Sequence, residues 1–490
     1  MANANLTEEL ECAWPGTFGS WAERGPAAPT LCRRTRQVPW RLRPPTAADV
    51  RAVVLEAARH RTFLWPVSRG ANWGYGSHLP ACDGSVILDL SALDAIGDLD
   101  RESLSVRIEP GVTQAALFDY LRAHAPDLAL NVTGSGRLTS VLGNALERGI
   151  GYSGEKDREL YGLEVLLADG TAVGPAAGRH HKVRAHPAGV STDALFFQSN
   201  YGIVLAGRLR LRVRQESEQA VVLQGDLDGV IAALREAYRQ NLVSHPTHVA
   251  EPGRSQRLGR GLLRTLWGRE PTADEVSRCF PEQGRYNALF PLYGRRRVVD
   301  AAWRELRRLV PAGAALQRAD DARLAAAARW LQRVGARHRS ARLQALRPLL
   351  ALTWGEPSDA GLASLDGFAG GDPDRAARGA IYGNAVSGVT AAEARQTSET
   401  VRRHWPDCAF TWIVLDGSSM ITVYTLHFDD AARGDAHAAD AAIAAALRER
   451  GFPPYRLGVG ASAGGPRPLE ATLKLALDPL GLLAPGRYES

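Results

Sequence analysis

The sequence predicts an α+β fold built from two domains and a C-terminal segment. Runs of strand type alternate with amphipathic helical segments, a pattern typical of sheets covered by helices. At about 150 residues per domain, a chain of 490 residues allows two to four domains. The pattern of predicted strands and helices changes after about residue 215. We therefore expect domains at residues 1–215 and 216–450 and a separate segment at 451–490.

The first domain contains two predicted helices and five predicted strands. A helix is expected over residues 45–60, because Thr46 is a suitable N-cap and apolar residues then recur at helical spacing. A second helix, capped by Thr113, extends to His124. Apolar runs and period-two alternation predict strands at residues 63–68, 85–90, 105–109, 163–168 and 203–213.

The second domain alternates strands with helices that have one apolar face. Helices are predicted at residues 227–239, 298–309 and 438–450. Strands are predicted at residues 220–223, 286–292, 410–415 and 421–428. The last two strands form a hairpin around Asp416-Gly417, and the final 40 residues are expected to form short turns.

Composition excludes several classes of protein. Hydrophobic residues make up 45% of the chain and charged residues 23%, which is ordinary for a globular protein. The apolar runs fall far short of the roughly 20 residues that cross a bilayer, so no membrane segment is expected. Residues 1–10 carry two glutamates and no basic residue, which predicts no secretory signal and a cytoplasmic location. The scattered cysteines predict neither a disulfide framework nor a metal site: Cys12, Cys32, Cys82, Cys279 and Cys408.

The net charge of +6 does not predict a nucleic-acid partner. Lysine occurs only at Lys156, Lys182 and Lys474, so nearly all the positive charge is arginine in a chain rich in alanine and glycine. This pattern is more simply a compositional bias, and no nucleic-acid motif accompanies it.

Two glycine-rich loops are candidate sites for phosphate groups. One is Pro66–Gly76 and the other is Gly134–Gly154. Glycine permits a close approach of the backbone to a ligand, and successive N–H groups in such turns bind anions. Two loops about 65 residues apart could hold one pyrophosphate between them. For either loop taken alone, a plain surface loop is an equally good interpretation.

The segment Gly149–Gly154 matches the G-x-G-x-x-G pattern but does not predict a Rossmann site. That site requires a strand immediately before the pattern and a helix immediately after it. Here Ala145-Leu-Glu-Arg precedes the pattern, and a charged stretch follows it.

Five stretches together resemble one family of proteins. They are Pro66–Gly76, Ile108–Thr113, Ser140–Tyr152, Gln198–Val204 and Asp478–Gly486. In these stretches and their order, the chain resembles the flavin-dependent oxidoreductases of the vanillyl-alcohol oxidase and p-cresol methylhydroxylase family. The resemblance covers roughly residues 40–215 and 450–490. It implies a p-cresol methylhydroxylase-type FAD-binding domain, an α+β cap domain over the substrate, and a C-terminal segment that returns to the FAD domain.

The resemblance implies that FAD lies in the first domain. Its pyrophosphate would meet the loops around Ser68–Gly76 and Gly134–Gly143, and Ile203-Val204 would lie near the adenine half. The residues assigned to the cofactor in this way are Pro66, Ser68, Arg69, Gly70, Ala71, Asn72, Gly74, Tyr75, Gly76, Gly134, Ser135, Ser140, Val141, Gly143, Asn144, Gly149, Gly151, Tyr152, Gly202, Ile203, Val204 and Arg487.

The 4-alkylphenol branch of the family implies four catalytic residues. In that branch two tyrosines and an arginine hold the substrate phenolate, and an aspartate lies beside flavin N5. The matching positions here are Tyr75, Tyr455 and Arg456 for the phenolate, and Asp157, five residues after Tyr152, for the aspartate. Taken singly, Asp157 is more simply a turn residue and Tyr455-Arg456 a half-buried surface pair.

The implied reaction agrees with elementary chemistry. A phenol has a pKa near ~10 and is mostly neutral at pH 7, whereas a guanidinium and two hydroxyl donors favour its anion. The phenolate releases electrons to the para position, so hydride can leave the benzylic carbon toward N5 and form a p-quinone methide. Hydroxylation, desaturation or oxidative decarboxylation of the side chain then follows.

The sequence also bears on how FAD is attached. Many family members tether FAD through a histidine or tyrosine on a cap strand, and our alignment of residues 420–428 places Thr422 at that position. Tyr424 shares the parity of Thr422, and His427 points to the opposite face. The first loop has Asn72 where other branches carry a histidine, and His78 lies beyond it. We therefore expect non-covalent FAD.

Several alternatives remain open from the sequence. The same fold could oxidise a sugar, a hydroxy acid or another alcohol, or bind flavin without catalysis, because fold does not fix function. The arginines of residues 295–347 could attract a substrate bearing a carboxylate, but composition explains them equally well. The electron acceptor is oxygen or a redox partner. Family members are commonly dimers, which makes a homodimer the expected assembly, although no segment marks an interface.

Overall fold

The structure is a computed structural model of the chain. It describes residues 18–25, 29–175, 182–184, 186, 189–281, 284–368, 370–461, 464 and 467–489. Residues 1–10 and Cys12, on which part of the sequence argument depends, lie outside the described residues.

Strands and helices both occur along the described chain, as the α+β prediction requires. In chain order the strands are Ala22–Arg24 (β1), Trp40–Leu42 (β2), Leu64–Val67 (β3), Val86–Asp89 (β4), Ile96–Asp100 (β5), Ser105–Ile108 (β6), Leu128–Ala129 (β7), Leu160–Leu166 (β8), Ala172–Val173 (β9), Ile203–Arg210 (β10), Arg212–Val213 (β11), Ser217–Gly225 (β12), Thr247–Ala250 (β13), Tyr286–Gly294 (β14), Ala315–Ala319 (β15), Gly379–Gly388 (β16), Cys408–Val414 (β17) and Ser419–Phe428 (β18). The α-helices are Ala47–His60 (α1), Gln114–His124 (α2), Val141–Leu146 (α3), Leu227–Arg239 (α4), Pro252–Trp267 (α5), Ala273–Cys279 (α6), Arg296–Leu309 (α7), Asp321–Arg333 (α8), Arg337–Ala351 (α9), Ala391–His404 (α10), Arg433–Glu449 (α11) and Pro468–Leu477 (α12).

Two larger sheets and the two-stranded sheet β11-β7 lie in the N-terminal half of the chain. The first has the order β1-β2-β4-β3, and β4 pairs in parallel with both β2 and β3. Helix α1 connects β2 to β3, and its N-cap Thr46 accepts a hydrogen bond from the Asp49 N–H. The second sheet is antiparallel with the order β5-β6-β10-β8-β9. Apolar side chains of α2 and α3 pack against it in one core.

A seven-stranded antiparallel sheet forms the second half of the chain, in the order β15-β12-β14-β13-β17-β18-β16. Alternate residues of each strand point to opposite faces. On one face, Val221, Phe410 and Met420 join a core with α4, α7, α10 and α11. On the other face, the neighbouring residues Val222 and Ile421 line a cavity. The pleat of the strands therefore puts a packed core on one face of the sheet and a cavity on the other.

The C-terminal residues return to the first sheet. The Leu64 N–H donates to the Leu482 carbonyl at 2.9 Å, and the Ala484 N–H donates back to the Leu64 carbonyl at 2.8 Å. Leu64 and Leu483 form a parallel bridge beside β3. The tail therefore lies against the strand that leads into the first glycine loop.

Most predicted elements are present, and two expectations were wrong. The predicted strand 203–213 breaks after Arg210, because β10 pairs with β6 and β8 while β11 pairs with β7. The final 40 residues contain α12, not only turns. Several elements were not predicted, among them α5, α9 and β16. None of the described helices has the length and apolarity needed to cross a membrane.

Candidate active site

The first glycine loop follows β3 and packs against the cap sheet. Gly74 has φ +75°, and a Cβ there would lie 2.6 Å from the Tyr382 ring of β16. The Tyr382 N–H donates to the Gly74 carbonyl at 2.9 Å. Only glycine fits this close approach, which brings the loop and β16 together.

The second glycine region begins helix α3. Ser140 is the N-cap: its hydroxyl donates to the Pro110 carbonyl at 2.6 Å and accepts from the Gly143 N–H at 2.9 Å. A Cβ on Gly143 would lie 2.0 Å from Ser68 Oγ of the first loop. The two glycine loops are therefore in direct contact, as the sequence argument expected for one shared ligand.

A cavity of about 190 Å³ lies between the two loops. The predicted cofactor residues that line it are Pro66, Ser68, Arg69, Gly70, Ala71, Asn72, Ser140, Gly143, Asn144, Gly202, Ile203, Val204 and Arg487. Hydroxyls and arginines suit phosphate groups. The buried Asn144 Oδ1 has no hydrogen-bond partner among the described residues. The lining is therefore chemically suited to the phosphates and hydrogen-bond donors of a ligand such as FAD.

The remaining predicted cofactor residues lie elsewhere. Gly134, Ser135, Gly149, Tyr152 and Tyr75 line a second, larger cavity of about 460 Å³. Gly74 and Gly76 line a small cavity beneath the first loop. Val141 is buried in the core, and a Cβ on Gly151 would collide with Asn131 at 2.0 Å. The last two positions therefore support the loops and do not line any of these cavities.

The larger cavity holds three of the four predicted catalytic residues. It is enclosed by the open face of the cap sheet, by α5 and α9, and by both glycine loops. Tyr75, Tyr455 and Arg456 are on its wall. It shares four lining residues with the smaller cavity, namely Ala71, Asn72, Asn144 and Arg456. Of the predicted phenolate residues, Arg456 lies where the two cavities meet, and Tyr75 and Tyr455 line the larger cavity.

Arg456 is held by several contacts at this junction. Its guanidinium carbon lies 4.6 Å from the centre of the Tyr75 ring, and Nη2 donates to Asn72 Oδ1. Its Nε lies 3.5 Å from Glu147 Oε2. Burial raises the pKa of Tyr75, and the Arg456 charge opposes that shift. Tyr75 is therefore a neutral hydroxyl beside a fixed cation at neutral pH.

Asn384 on β16 forms hydrogen bonds to Tyr75, Tyr455 and Arg456, and it was not predicted from the sequence. Asn384 Oδ1 accepts hydrogen bonds from the Tyr455 and Arg456 N–H groups at 2.8 and 2.9 Å. Its Nδ2 donates to the Arg456 carbonyl at 3.0 Å and to Tyr75 Oη at 3.3 Å. Since Tyr75 Oη accepts this bond, its own proton can be donated to a ligand. One asparagine on a strand has no distinguishing sequence signal.

Tyr455 provides the second hydroxyl. Tyr455 Oη is buried and has no hydrogen-bond partner in the described part of the chain. Burial raises the pKa of Tyr455, with a smaller contribution from the carboxylates of Asp157 and Glu155. This hydroxyl therefore stays protonated and can donate to a ligand.

Asp157 is not on the wall of either large cavity. One of its carboxylate oxygens lies 3.8 Å from Arg148 Nε, and the other is buried without a hydrogen-bond partner among the described residues. Its partner Arg148 lines the larger cavity, so Asp157 lies beside a wall residue. The structure thus groups three of the predicted residues in one cavity and does not place Asp157 on its wall.

A half-buried acid, Glu147, was also not predicted. It accepts two hydrogen bonds from Arg487 Nη2 at 2.8 Å, and the Tyr488 hydroxyl donates to it. Burial alone would raise the pKa of Glu147, but the charges of Arg487 and Arg456 lower it overall. Glu147 therefore joins the C-terminal tail to the cavity junction, and Arg487 is occupied by this ion pair.

The cap strand β18 turns Thr422 away from the cavity. Ile421 and Val423 line the cavity, whereas the Thr422 and Thr397 hydroxyls lie 3.0 Å apart on the helical side. Tyr424 shares that side and belongs to the cap core. His427 has the opposite parity, as predicted, and its ring lies 3.9 Å from Asp366.

Comparisons with known proteins identify an FAD-binding domain and flavoprotein relatives. Residues 40–174 match the family described as FAD binding domain. The chain is 30% identical over 277 residues to the flavoprotein subunit of 4-cresol dehydrogenase (hydroxylating) from Pseudomonas putida, which covers 53% of each chain. It is 39% identical over 177 residues to 1'-carboxy-chondrochloren decarboxylase from Chondromyces crocatus, covering 35% of this chain and 33% of that one. The matched stretches therefore span about half of one relative and a third of the other.

The fold is also that of a solved flavoprotein structure. The structure of 4-ethylphenol oxidase from Gulosibacter chungangensis, an isoeugenol complex, matches with a TM-score of 0.81 and 20% sequence identity. The match covers 99% of this chain and 97% of that one. The fold and the site thus define an FAD-binding flavoprotein of the p-cresol methylhydroxylase type. The chain therefore contains an FAD binding domain and is similar to members of the vanillyl-alcohol oxidase and p-cresol methylhydroxylase family.

Proposed function

We propose that the protein is an FAD-dependent oxidoreductase that oxidises a para-substituted phenol at its benzylic carbon. The observation that carries this proposal is the grouping of Tyr75, Tyr455 and Arg456 in the larger cavity, with Arg456 also lining the smaller one. The relatives support it, since one is named for the dehydrogenation of 4-cresol and another for a decarboxylation.

The three side chains suit a phenolate. Arg456 offers a fixed positive charge, and the hydroxyls of Tyr75 and Tyr455 are free to donate. Hydrogen bonds to the charged form and an opposite charge both lower the pKa of a bound phenol. These residues would therefore hold the substrate as its anion, with the para carbon facing into the cavity.

The loop residues of the smaller cavity would hold FAD, with Asn144 and Arg456 at the shared edge. Bound FAD supplies the acceptor for the benzylic hydride, at its N5 atom. The phenolate residues stabilise the starting anion, and loss of hydride from the benzylic carbon leaves a p-quinone methide. Water addition gives an alcohol, loss of a β-proton gives a vinylphenol, and loss of CO₂ from a β-carboxylate gives a styrene.

Asp157 is proposed to act on the side chain after oxidation. A carboxylate with one unpaired oxygen can activate water or take a proton. Its pairing with Arg148 and its neighbour Tyr455 support a position near the cavity wall. A ligand that displaces the Arg148 contact would expose this carboxylate to the substrate.

We also propose that FAD is bound without a covalent link. The cavity-facing residues of β18 beside Thr422 are Ile421 and Val423, and neither can form a flavin bond. The denatured chain is expected to have the mass of the polypeptide alone, with the yellow colour left in the acid supernatant. A mass increase equal to one FAD would overturn this proposal.

The main test is anaerobic stopped-flow absorbance of the holoprotein with a panel of 4-alkylphenols. We expect the oxidised flavin band to bleach with phenols and not with their 4-methoxy analogues, which cannot form a phenolate. Tyr455→Phe and Arg456→Leu should slow bleaching strongly. Bleaching by a sugar or hydroxy acid, with none by any phenol, would refute the phenol assignment. The rate of flavin reoxidation in air is then compared with the rate in the presence of an added electron-transfer protein, and the faster reaction identifies the electron acceptor.

A further inference from the structure

The larger cavity has an uneven distribution of charge. Among the described residues that line it there is no aspartate or glutamate. It is lined by five arginines: Arg148, Arg254, Arg318, Arg342 and Arg456. Only Arg318 and Arg342 of these come from the basic stretch at residues 295–347. A low-dielectric cavity whose charged lining residues are all positive favours an anionic ligand.

Four of the five arginines already have partners. They are Arg148 with Asp157 at 3.8 Å, Arg318 with Asp300 at 2.7 Å, Arg342 over the Phe280 ring at 5.7 Å, and Arg456 with Glu147 at 3.5 Å. Arg254 differs. Within the described ranges it has no hydrogen bond, ion pair or aromatic ring contact. Its guanidinium is therefore the cation of this cavity that is available to form an ion pair with a ligand.

The position of Arg254 adds to the case for an anion. It lies in the first turn of α5, whose N-cap residue Glu251 makes no capping hydrogen bond. The Glu251 carboxylate instead accepts from the Phe410 N–H at 3.0 Å and from Arg402. The first turn of α5 lines the cavity, so the positive end of the helix dipole and Arg254 favour negative charge at the same place.

Arg254 lines the same cavity as the phenol residues. Tyr382 also lines this cavity, and its ring lies 5.8 Å from that of Tyr75. A single ligand can therefore meet both groups. A guanidinium matches a carboxylate with two parallel hydrogen bonds. One unpaired guanidinium among leucines such as Leu258 and Leu262 suits one negative charge better than a phosphate dianion.

We propose that Arg254 binds a carboxylate carried by the para side chain of the phenolic substrate. The substrate class is then a 4-hydroxyphenyl compound whose side chain ends in an acid, with the phenolate at Arg456 and the carboxylate at Arg254. This inference rests on the proposed function, and it adds a specificity residue that the sequence motifs do not contain.

The test compares acids with neutral compounds of equal length. Each acid from 3-(4-hydroxyphenyl)propanoate to 6-(4-hydroxyphenyl)hexanoate is paired with the 4-alkylphenol in which a methyl group replaces the carboxylate. The second-order rate constant for anaerobic flavin reduction is measured for both. We expect wild-type protein to prefer at least one acid by about tenfold or more, the range of a charge-assisted hydrogen bond. Arg254→Gln should abolish that preference, and Arg254→Lys should keep part of it.

Arg260→Gln is the matched control. Arg260 is on the same helix, pairs with Glu270 at 3.5 Å and does not line the cavity, so the same change of charge should leave the acid preference intact. Equal rates for every acid and its neutral partner in wild-type protein would overturn the inference, whether or not Arg254→Gln folds. An unchanged preference in Arg254→Gln would also overturn it. If no phenol of either kind reduces the flavin, the proposed function itself fails, which is a separate result.

Discussion

Replacement of Asn384 by leucine should damage both stability and reaction with phenols. Asn384 is buried, with 7% of its surface exposed, and makes the four hydrogen bonds described above. Leucine has nearly the same shape and makes none of them. Three backbone groups of Tyr455 and Arg456 then lose their partner. At about 1 kcal/mol for each lost bond, we expect a loss of roughly 3 kcal/mol in the free energy of unfolding.

The effect on activity follows from position. Without Asn384 the Tyr455-Arg456 backbone is free to shift, and a displacement of about 1 Å can cost about 100-fold in rate. Urea denaturation measures the stability, and stopped-flow flavin reduction by a 4-alkylphenol measures the rate. Asn384→Asp is the comparison, since it keeps an acceptor for the two N–H groups and loses both donors. Full rates in Asn384→Leu despite lower stability would refute the idea that Asn384 positions the phenol residues.

Three further changes have expected outcomes. Thr46→Ala should lower the free energy of unfolding by about 1 kcal/mol, measured by urea denaturation, because α1 loses its N-cap. Gly143→Ala should reduce the flavin content of purified protein, measured from the visible absorbance, because its Cβ would lie 2.0 Å from Ser68 Oγ. Burial raises the pKa of Asp374 to about 6 from an ordinary 3.8. The free energy of unfolding should therefore fall by about 3 kcal/mol as pH rises through that interval. Asp374→Asn should remove this dependence on pH.

Each of these changes has a control. Thr46→Ser keeps the capping hydroxyl, so equal losses in Ser and Ala variants would argue against capping. Gly434→Ala adds a Cβ to another helical glycine with no atom within 4 Å, and it should keep full flavin content. The raised pKa of Asp374 stabilises the folded state below pH 3.8, and this stability is lost as pH rises through about 6. An identical slope in Asp374→Asn would contradict the assignment.

Local rules accounted for much of the secondary structure. Helix α4 has the predicted bounds, and the predicted caps Thr46 and Thr113 both accept hydrogen bonds from the first turns of their helices. Capping and apolar periodicity act within a few residues, so the sequence alone can reveal them. The strand predicted at 203–213 failed because pairing partners, not local pattern, decide where a strand ends.

The sequence by itself predicted the FAD-binding fold, the glycine loops and the three residues that line one cavity. These depend on residue types in fixed local motifs. Only the tertiary structure decided that Asn384 holds Tyr75, across 309 positions, and that Glu147 holds Arg487, across 340. Only the tertiary structure shows that Arg254 has no partner among the described residues, in a cavity whose lining contains arginines and no acid. Whether a buried polar side chain is satisfied or free depends on what the fold brings beside it, and no local pattern of residues carries that information.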